Sequence, residues 1–405
     1  MKRVSRRRTG GRPQLRAPTR PEASTRHGTP AGRIPPALKA STIYDVAREA
    51  GVSPATVSRV INGTARVSAD TSRRVREAIA RIDFHPYDLA AGSARRTMGM
   101  VGLVLPDVTN PFWSEVALGA EEALRPHGFG LMLANTGDSL EREEDVIALL
   151  RRKRVDGAMV SAMRDASRAL HRLRDVGISV VLLGLGADDG TFDLVTANGG
   201  LGTYLTTSHL LDLDHRRIAF VGGPSDEATT VDRRAGYERA LKERGITPLA
   251  GWVAEGPGWG HEAGSERARE LLVRGTLDGP RAVTGIVAAN DVLALGALNA
   301  LVAAGRRVPQ DVSLTGFDDL PLASLYRPAL TTAAQFSRER GRIAAELLLE
   351  RMTTRAEASR GAAAPTEAPQ PRRVILEPKL VVRASTGPPP KPRSHARMPK
   401  EGRTR

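Results

Sequence analysis

From residue 100 onward, short apolar runs alternate with longer segments in which apolar residues recur every three or four positions. Nearly continuous apolar runs are typical of strands in a parallel sheet that is covered on both faces, and the longer segments have the period of amphipathic helices. Strands are predicted at Val101–Leu105, Gly130–Ala134, Gly157–Ser161, Ser179–Leu183, Leu194–Thr196, Ile218–Val221, Gly285–Ala288, Val312–Thr315 and Val374–Arg383. Helices are predicted at Phe112–His127, Leu140–Lys153, Gly200–Leu211, Asp232–Arg244, Gly264–Arg274, Val292–Ala304 and Arg338–Met352.

This alternation predicts α/β architecture with doubly wound parallel sheets. The segment from residue 100 to residue 386 is longer than one ordinary domain, so two lobes are expected. Residues 354–372 are rich in Ala, Pro and Thr and are predicted to form a flexible insertion before the last strand.

Residues 41–85 have a different pattern, that of three short helices. Thr42 is a suitable cap for a helix over Ile43–Ala50, and Asp45 adds a carboxylate in its first turn. Ser53 caps a second helix whose first residue is Pro54, a position where no backbone N–H is needed. Ser68 begins the third. The fold class is therefore an all-α N-terminal domain followed by a two-lobed α/β domain.

The net charge of +15 is concentrated at the two ends of the chain. Residues 1–40 are predicted to be a disordered basic arm, and residues 387–405 a disordered basic tail. The arm and the tail could remain solvated, or they could add salt-sensitive affinity for the phosphates of a nucleic acid. No long apolar run follows the basic start, so neither a secretory signal nor a membrane span is predicted. The chain has no cysteine, which excludes disulfides and thiol chemistry. We expect a cytoplasmic protein.

Residues 45–62 read D-V-A-R-E-A-G-V-S-P-A-T-V-S-R-V-I-N, a pattern that favours a helix-turn-helix. Small apolar residues let the two helices pack closely, and Gly51 supplies the turn. The outer face of the second helix carries short side chains and Arg59. This face is slim enough for a major groove, where an arginine binds guanine bidentately. A three-helix bundle with an exposed arginine is the alternative.

This run resembles, almost letter for letter, the helix-turn-helix DNA-binding domain of the lactose-repressor/galactose-repressor family, which is called the reader below. The resemblance implies a DNA-binding regulator, in most cases a repressor, that acts as a homodimer or a larger assembly on a pseudo-palindromic operator. It implies base contacts from Pro54, Ala55, Thr56 and Arg59, and phosphate contacts from Thr42, Ser58 and Asn62. Ser53, the cap of the second helix, belongs to the same candidate set.

Residues 86–99 correspond to the family's hinge. The family places a leucine wedge in the minor groove at the position occupied here by Ser93, and Tyr87 replaces the usual Asn. Serine offers little apolar surface to offset unstacking, so central kinking of the operator is not expected to follow the family pattern. Arg95 and Arg96 remain candidates for phosphate contacts.

The resemblance continues through residues 100–386, where the family has two lobes, three crossing strands and an effector in the cleft between the lobes. Such sheets bind ligands at the carboxyl ends of their strands. The resemblance and the strand ends together give one set of candidate effector-binding residues: Asn110, Phe112, Trp113, Thr229, Arg233, Trp259, Asp291 and Gln335.

An acid, an arginine, an amide and an aromatic ring suit a polyhydroxylated ring, so a sugar is the first expectation and a nucleobase or nucleoside the second. Ala197-Asn198 replaces the family's usual Asp-Asn, which removes one acid. A secreted sugar-binding protein would share the sensor but would have no use for residues 42–97. The chain lacks the common nucleotide, metal and nucleophile motifs, so neither an enzyme nor a cofactor is expected.

Overall fold

The computed structural model describes residues 42–63, 66–82, 84, 98–161, 167–186, 189–279, 282–358 and 370–390. The chain separates into two compact units, residues 1–95 and 96–405. The predicted arm at residues 1–40, hinge residues 86–97 and residues 391–405 of the predicted tail lie outside the described residues, as do residues 359–369 of the predicted insertion.

The first unit contains three helices: α1 (Ile43–Ala50), α2 (Pro54–Asn62) and α3 (Ala69–Arg81). Ala47 and Ala50 are buried, and their small side chains let α1 pack closely against its neighbours. The core of this unit is apolar and is formed by Val46, Ala47, Ala50, Val57, Val75, Ala78 and Phe84. The predicted helical N-terminal domain is confirmed.

The described part of the second unit contains twelve strands and nine α-helices. The strands are β1 (Met100–Leu105), β2 (Gly130–Asn135), β3 (Gly157–Val160), β4 (Ser179–Leu183), β5 (Asp193–Ala197), β6 (Ile218–Val221), β7 (Val253–Ala254), β8 (Gly285–Ala288), β9 (Ser313–Thr315), β10 (Thr332–Ala334), β11 (Arg373–Leu376) and β12 (Lys379–Val381). The helices are α4 (Pro111–Leu124), α5 (Leu140–Lys153), α6 (Ser167–Asp175), α7 (Gly199–Asp212), α8 (Ala228–Glu243), α9 (His261–Val273), α10 (Asp291–Ala303), α11 (Pro321–Leu325) and α12 (Ser337–Ala358).

Two parallel sheets form the cores of two lobes. The sheet of the first lobe has the order β11-β5-β4-β3-β1-β2, and the sheet of the second lobe has the order β7-β6-β8-β9. Every pairing within these two sheets is parallel. Their strands are mostly buried, as expected for sheets covered by helices on both faces. The predicted two-lobed α/β fold is confirmed.

The chain passes between the lobes three times: after β5, between β9 and α12, and between β11 and β12. The second and third crossings pair with each other, because β10 and β12 form a two-stranded antiparallel sheet. Beside the first crossing, the backbone N–H of Asn198 donates to the carbonyl oxygen of Leu376 over 3.0 Å. The lobes are thus joined by three adjacent strands of chain.

Glycines bring helices α4 and α12 into contact. A Cβ atom at Gly341 would lie 2.0 Å from the carbonyl oxygen of Val116, and one at Gly119 would lie 1.8 Å from the carbonyl oxygen of Arg338. Backbone cannot move aside as a flexible side chain can, so only glycine is compatible with this approach. The helix that follows the second crossing is therefore fixed against the first lobe.

The structure differs from the sequence prediction in several places. The single strand predicted at Val374–Arg383 is two strands in different sheets, β11 and β12, separated by Glu377 and Pro378. Helix α12 continues to Ala358, so residues 354–358 of the predicted insertion are helical. The hydroxyls of Thr353 and Thr354 donate back to the carbonyl oxygens of Leu349 and Glu350 over 2.9 Å and 3.0 Å, so both side chains are hydrogen-bonded within the helix.

Residue 387, predicted to begin the tail, is packed against the second lobe. Its backbone N–H donates to the Ser313 hydroxyl over 3.1 Å, and its carbonyl oxygen accepts from Nε2 of His215 over 2.8 Å. Helices α8 and α9 begin at Ala228 and His261, earlier than the predicted starts at Asp232 and Gly264. Elements α6, α11, β7 and β10 had no counterpart in the prediction.

Candidate functional sites

Side-chain caps fix both helices of the reader. Oγ1 of Thr42 donates to Oδ2 of Asp45 over 2.6 Å, and the Asp45 carboxylate also accepts from the Thr42 backbone N–H over 2.9 Å. These two hydrogen bonds hold the pKa of Asp45 below its usual value. The side chain of Ser53 accepts from the backbone N–H of Thr56 over 3.2 Å at the start of α2. Gly51, in the left-handed region with φ of 63°, supplies the turn between the helices.

The outer side of α2 has the slender form that the sequence predicts. Val57 is fully buried, whereas Ala55 and Arg59 are exposed and Pro54 is half-buried. Arg59 forms no ion pair with any residue described in the first unit. A guanidinium in this condition retains all its donors for another molecule.

The other candidate DNA contacts fall into two groups. Thr42 and Ser53 are exposed, and Thr56 and Ser58 are half-buried. The backbone of Asn62 is the last residue of α2, but its side chain lies outside the described residues, as do Ser93, Arg95 and Arg96.

A cleft of about 440 Å³ opens between the two lobes of the second unit. The first lobe contributes the loops after β1, β2, β3 and β4, and the second contributes the start of α8 and the loop before α9. Seven of the eight predicted effector-binding residues line it together: Asn110, Phe112, Trp113, Thr229, Arg233, Trp259 and Gln335. The carboxyl ends of the parallel strands thus meet at one place, as their topology requires.

Asp291 is the exception. Its side chain is 0% exposed, and both carboxylate oxygens are used inside the protein. Oδ1 accepts from the Thr332 hydroxyl over 2.6 Å and Oδ2 from the backbone N–H of Leu320 over 2.8 Å. The neighbouring Asn290 lines the cleft instead. The prediction of a direct ligand contact from Asp291 is therefore corrected to a role behind the cleft wall.

Aromatic rings stand on both sides of the cleft. Phe112 and Trp113 lie edge-to-face in the first lobe, with ring centroids 4.8 Å apart. Their position follows from Asn110, whose side chain accepts from the backbone N–H of Phe112 over 3.0 Å and caps α4. Asn110 is thus both a helix cap and part of the cleft lining.

The indole of Trp259 is fixed in the second lobe. Its Nε1 donates to Oε2 of Glu227 over 2.8 Å, and its backbone carbonyl oxygen accepts from the Asn290 amide over 3.2 Å. A Cβ atom at Gly223 would lie 2.5 Å from the ring, so the indole rests on the backbone at this glycine. Burial raises the pKa of Glu227, and the nearby carboxylates of Asp138 and Asp226 raise it further.

Arg233 is 8% exposed, and its guanidinium lies 4.0 Å from the centre of the Phe317 ring. Nη1 donates to the carbonyl oxygen of Ala289 over 2.5 Å. Burial lowers the pKa of this guanidinium, whereas the carboxylates of Asp318, Asp232 and Asp291 oppose the decrease.

Two buried charged groups of the cleft were missed by the sequence analysis. Arg340, on α12, is 6% exposed and lies 5.5 Å from the centre of the Phe112 ring. Asp318 is buried beside it and accepts a hydrogen bond from the amide of Gln335, whose oxygen accepts from Nη1 of Arg340 over 3.4 Å. A signal was present for Asp318 in Phe317-Asp318-Asp319, but α12 reads as an ordinary amphipathic helix, which hides Arg340.

Burial changes the acidity of both groups. It raises the pKa of Asp318 to about 8, although the charges of Arg233 and Arg340 oppose this increase. Burial and the nearby charge of Arg233 lower the pKa of Arg340 to about 10. The arginines remain cationic at neutral pH. The floor of the cleft is therefore more strongly cationic than anionic.

Comparisons with known proteins agree with this architecture. The family model "Bacterial regulatory proteins, lacI family" matches residues 42–87, and the model "Periplasmic binding protein-like domain" matches residues 207–386. The chain is 34% identical over 346 residues to the HTH-type transcriptional repressor PurR of Haemophilus influenzae (strain PittEE), which covers 85% of this chain and 98% of the relative. The PurR of Vibrio vulnificus (strain CMCP6) is 35% identical over 314 residues, covering 77% and 92%.

Solved structures give the same result. A transcriptional regulator CelR–cellobiose complex is 32% identical with a TM-score of 0.62, covering 85% of this chain and 99% of that one. The lac repressor dimer bound to operator and the anti-inducer ONPF is 27% identical with a TM-score of 0.70, covering 86% and 100%.

A helix-turn-helix unit and a two-lobed unit of the periplasmic-binding-protein type define a bacterial DNA-binding transcriptional regulator. The chain belongs to the lacI family of bacterial regulatory proteins. Within the described residues, no helix has both the length and the apolar character needed to cross a membrane.

Proposed function

We propose that this protein represses transcription by binding a pseudo-palindromic operator as a homodimer, and that a sugar bound in the cleft changes its affinity for the operator. Residues 41–85 are the reader, residues 86–99 the hinge and residues 100–386 the sensor. The observation that carries the proposal is the cleft, because the same cavity is lined from both lobes by aromatic rings and polar groups.

A sugar suits this lining. Trp259 and Phe112 offer ring faces to the apolar C–H surface of a pyranose, while Asn110, Thr229 and Gln335 offer hydrogen-bonding groups to its hydroxyls. The cellobiose in the CelR complex and the ribose in another lacI-family regulator, from Enterococcus faecium, support this class of effector. A planar nucleobase between the rings is the second candidate.

The same cavity gives a mechanism for regulation. A ligand that touches both lobes stabilises one degree of closure over others and therefore shifts a population that already exists. Movement of the first lobe is passed to the reader through the residues before Met100. Oδ2 of Asp156 accepts from the backbone N–H of Met100 over 2.9 Å, and Oδ1 from that of Met98 over 3.1 Å, so the start of β1 is fixed to the first lobe.

The reader uses α2. Pro54, Ala55, Thr56 and Arg59 contact base edges, while Thr42, Ser53, Ser58 and Asn62, with Arg95 and Arg96 of the hinge, contact or position the phosphates. One reader covers one half-site, so two copies are needed for an inverted repeat. The protein acts by binding and not by turnover, and it works in the cytoplasm, where the chromosome lies.

Selection from random double-stranded oligonucleotides tests the DNA-binding part. We expect an enriched inverted repeat. Gel shifts on that repeat with a panel of sugars, nucleobases and nucleosides test the effector part, and at least one compound should change the operator Kd by roughly fivefold or more. Failure to enrich any repeat would refute the reader, and an unchanged Kd with every compound would refute the effector class.

Tryptophan fluorescence gives an independent measure of cleft occupancy. Trp113 and Trp259 line the cleft, whereas Trp252 belongs to the core of the second lobe. A bound effector should change the emission of the wild type and of the Trp252→Phe control. The change should be reduced in Trp259→Phe, because this substitution removes the emitting ring next to the ligand.

A further inference from the structure

The acidic and basic residues of the cleft are separated, with acids at the rim and arginines at the floor. Asp138 and Asp226 are exposed where they line it, while Arg233 and Arg340 line it from buried positions. Exposed charges are screened by water and salt, whereas charges that are more than nine-tenths buried interact strongly with whatever lies beside them. The two arginines therefore dominate the electrostatics that a bound ligand meets at the floor.

Neither guanidinium is fully used by the protein. Among the described residues, neither Arg233 nor Arg340 has a carboxylate within ion-pair distance, and Nε of each is buried without a hydrogen-bond partner. Nη1 of Arg233 binds the Ala289 carbonyl oxygen, and Nη1 of Arg340 binds Gln335. Nη2 forms no hydrogen bond with a described residue in either side chain, and it is not among the fully enclosed atoms.

The two free Nη2 groups come from opposite lobes. Arg233 belongs to α8 of the second lobe, and Arg340 to α12, which packs on the first lobe. A Cβ atom at Gly184 would lie 3.4 Å from Nη2 of Arg340, and Gly184 itself lines the cleft. The end of Arg340 thus faces the cavity wall formed after β4. A group between the arginines would contact both lobes at once.

Buried cations that lack a counter-ion are unfavourable unless a ligand supplies one. We propose that the effector carries a carboxylate, as a sugar acid does, and that this group binds at the cleft floor between Arg233 and Arg340. This inference rests on the proposed function, since it names the class of effector that the same cleft takes. A planar carboxylate matches guanidinium groups in shape and in the number of acceptors.

The acids at the rim favour a monoanion over a dianion. Asp138 and Asp226 line the same cavity as the two arginines. A phosphate dianion would meet more repulsion from these carboxylates than a carboxylate monoanion does.

Isothermal titration with matched sugar pairs tests this proposal. D-Gluconate, D-glucuronate and D-galacturonate are compared with sorbitol, D-glucose and D-galactose, and with glucose 6-phosphate as the phosphate arm. We expect at least one carboxylate to bind on the order of tenfold more tightly than its neutral counterpart. Arg340→Leu should remove this preference. Arg342→Leu, on the same helix but paired with Glu339 and Glu346 at the surface, should retain it.

The unfolding temperature without ligand shows whether Arg340→Leu is folded, and Arg340→Lys, which keeps the charge, should retain part of the preference. The proposal is wrong if no carboxylate shows binding that depends on Arg340, or if neutral sugars or glucose 6-phosphate bind more tightly than every acid. Binding of a neutral sugar with operator release would leave the proposed function intact in that case. Failure of operator selection would instead refute the proposed function alone.

Discussion

Thr332 donates its hydroxyl hydrogen to Oδ1 of Asp291 over 2.6 Å, while Oδ2 of the same carboxylate accepts from the backbone N–H of Leu320 over 2.8 Å. Asp291 begins α10 of the second lobe, and both donors belong to the second crossing between the lobes. One buried carboxylate therefore anchors the crossing segment to the second lobe. Its pKa is raised to about 6 by burial, even though both hydrogen bonds favour the ionised form.

Asp291→Ala should therefore destabilise the protein. The substitution leaves a buried hydroxyl and a buried N–H without their acceptor, and each such group costs roughly 1–3 kcal/mol. Chemical denaturation should show a loss of about 2–4 kcal/mol in the unfolding transition of the sensor. Asp291→Asn keeps one oxygen acceptor and should lose less. An alanine variant as stable as the wild type would contradict the anchoring role.

Gly341→Ala tests the contact between α4 and α12. The added methyl would lie 2.0 Å from the Val116 carbonyl oxygen, so the helices must separate. Overpacking of this kind costs about 1–3 kcal/mol and sometimes more. Gly251→Ala is the matched control, because a Cβ atom there meets no atom within 4 Å. Thermal unfolding of the two variants should differ clearly, and equal stabilities would show that the helix contact tolerates a side chain.

Much of the fold follows from local patterns. The apolar strand β1, the capped helix α2 and the buried face of α1 are each determined by neighbouring residues, so periodicity and capping rules find them. Short elements were missed where tertiary contacts supply the stability. Strand β7 has two residues, and β10 exists because it pairs with β12, which lies far along the sequence.

The cleft was predictable only in part. Asn110 and Arg233 follow strand ends or match a family position, so the sequence points to them directly. Arg340 faces the cleft because α12 packs against α4 through two glycines, and the resulting rotation of the helix cannot be read from its amino-acid pattern. Asp291 was assigned to the ligand because the sequence contains no sign that Thr332 and Leu320 would occupy its oxygens first.

The pH dependence of stability should report on Asp318. Burial raises the pKa of this carboxyl to about 8 in the folded protein, whereas an aspartic acid in an unfolded chain titrates near ~4. Between these values the folded state retains a proton that the unfolded state has lost. The free energy of unfolding contributed by this group therefore falls as the pH rises through that window. Four other groups face the Asp318 carboxyl and remain unchanged in the test: Arg233, Arg340, Asp291 and Gln335.

Asp318→Asn removes this titration. Its melting temperature relative to the wild type should increase between pH 5 and pH 8, by on the order of a few degrees. Asp311→Asn is the control, because Arg307 holds the pKa of the half-buried Asp311 down to about 2. The pKa of Asp311 lies below pH 5 in both the folded and the unfolded state, so this carboxylate is ionised in both across the test range. The difference in melting temperature between Asp311→Asn and the wild type should therefore be nearly constant. A constant difference for Asp318→Asn would refute the raised pKa.

Arg59→Ala tests the reading of bases by α2. Arg59 is exposed and has no ion-pair partner among the described residues of its unit, so its donors are available to a guanine edge. Loss of a bidentate base contact should weaken operator binding by roughly 1–3 kcal/mol and relax the base preference at one position of each half-site. Arg73→Ala is the matched control, since Arg73 is paired with Asp70 and Glu77 on α3. Gel shifts on the selected operator and on single-base variants separate the two roles. Loss of a phosphate contact would weaken binding to all sequences equally. Only loss of a base contact would change the order of their affinities.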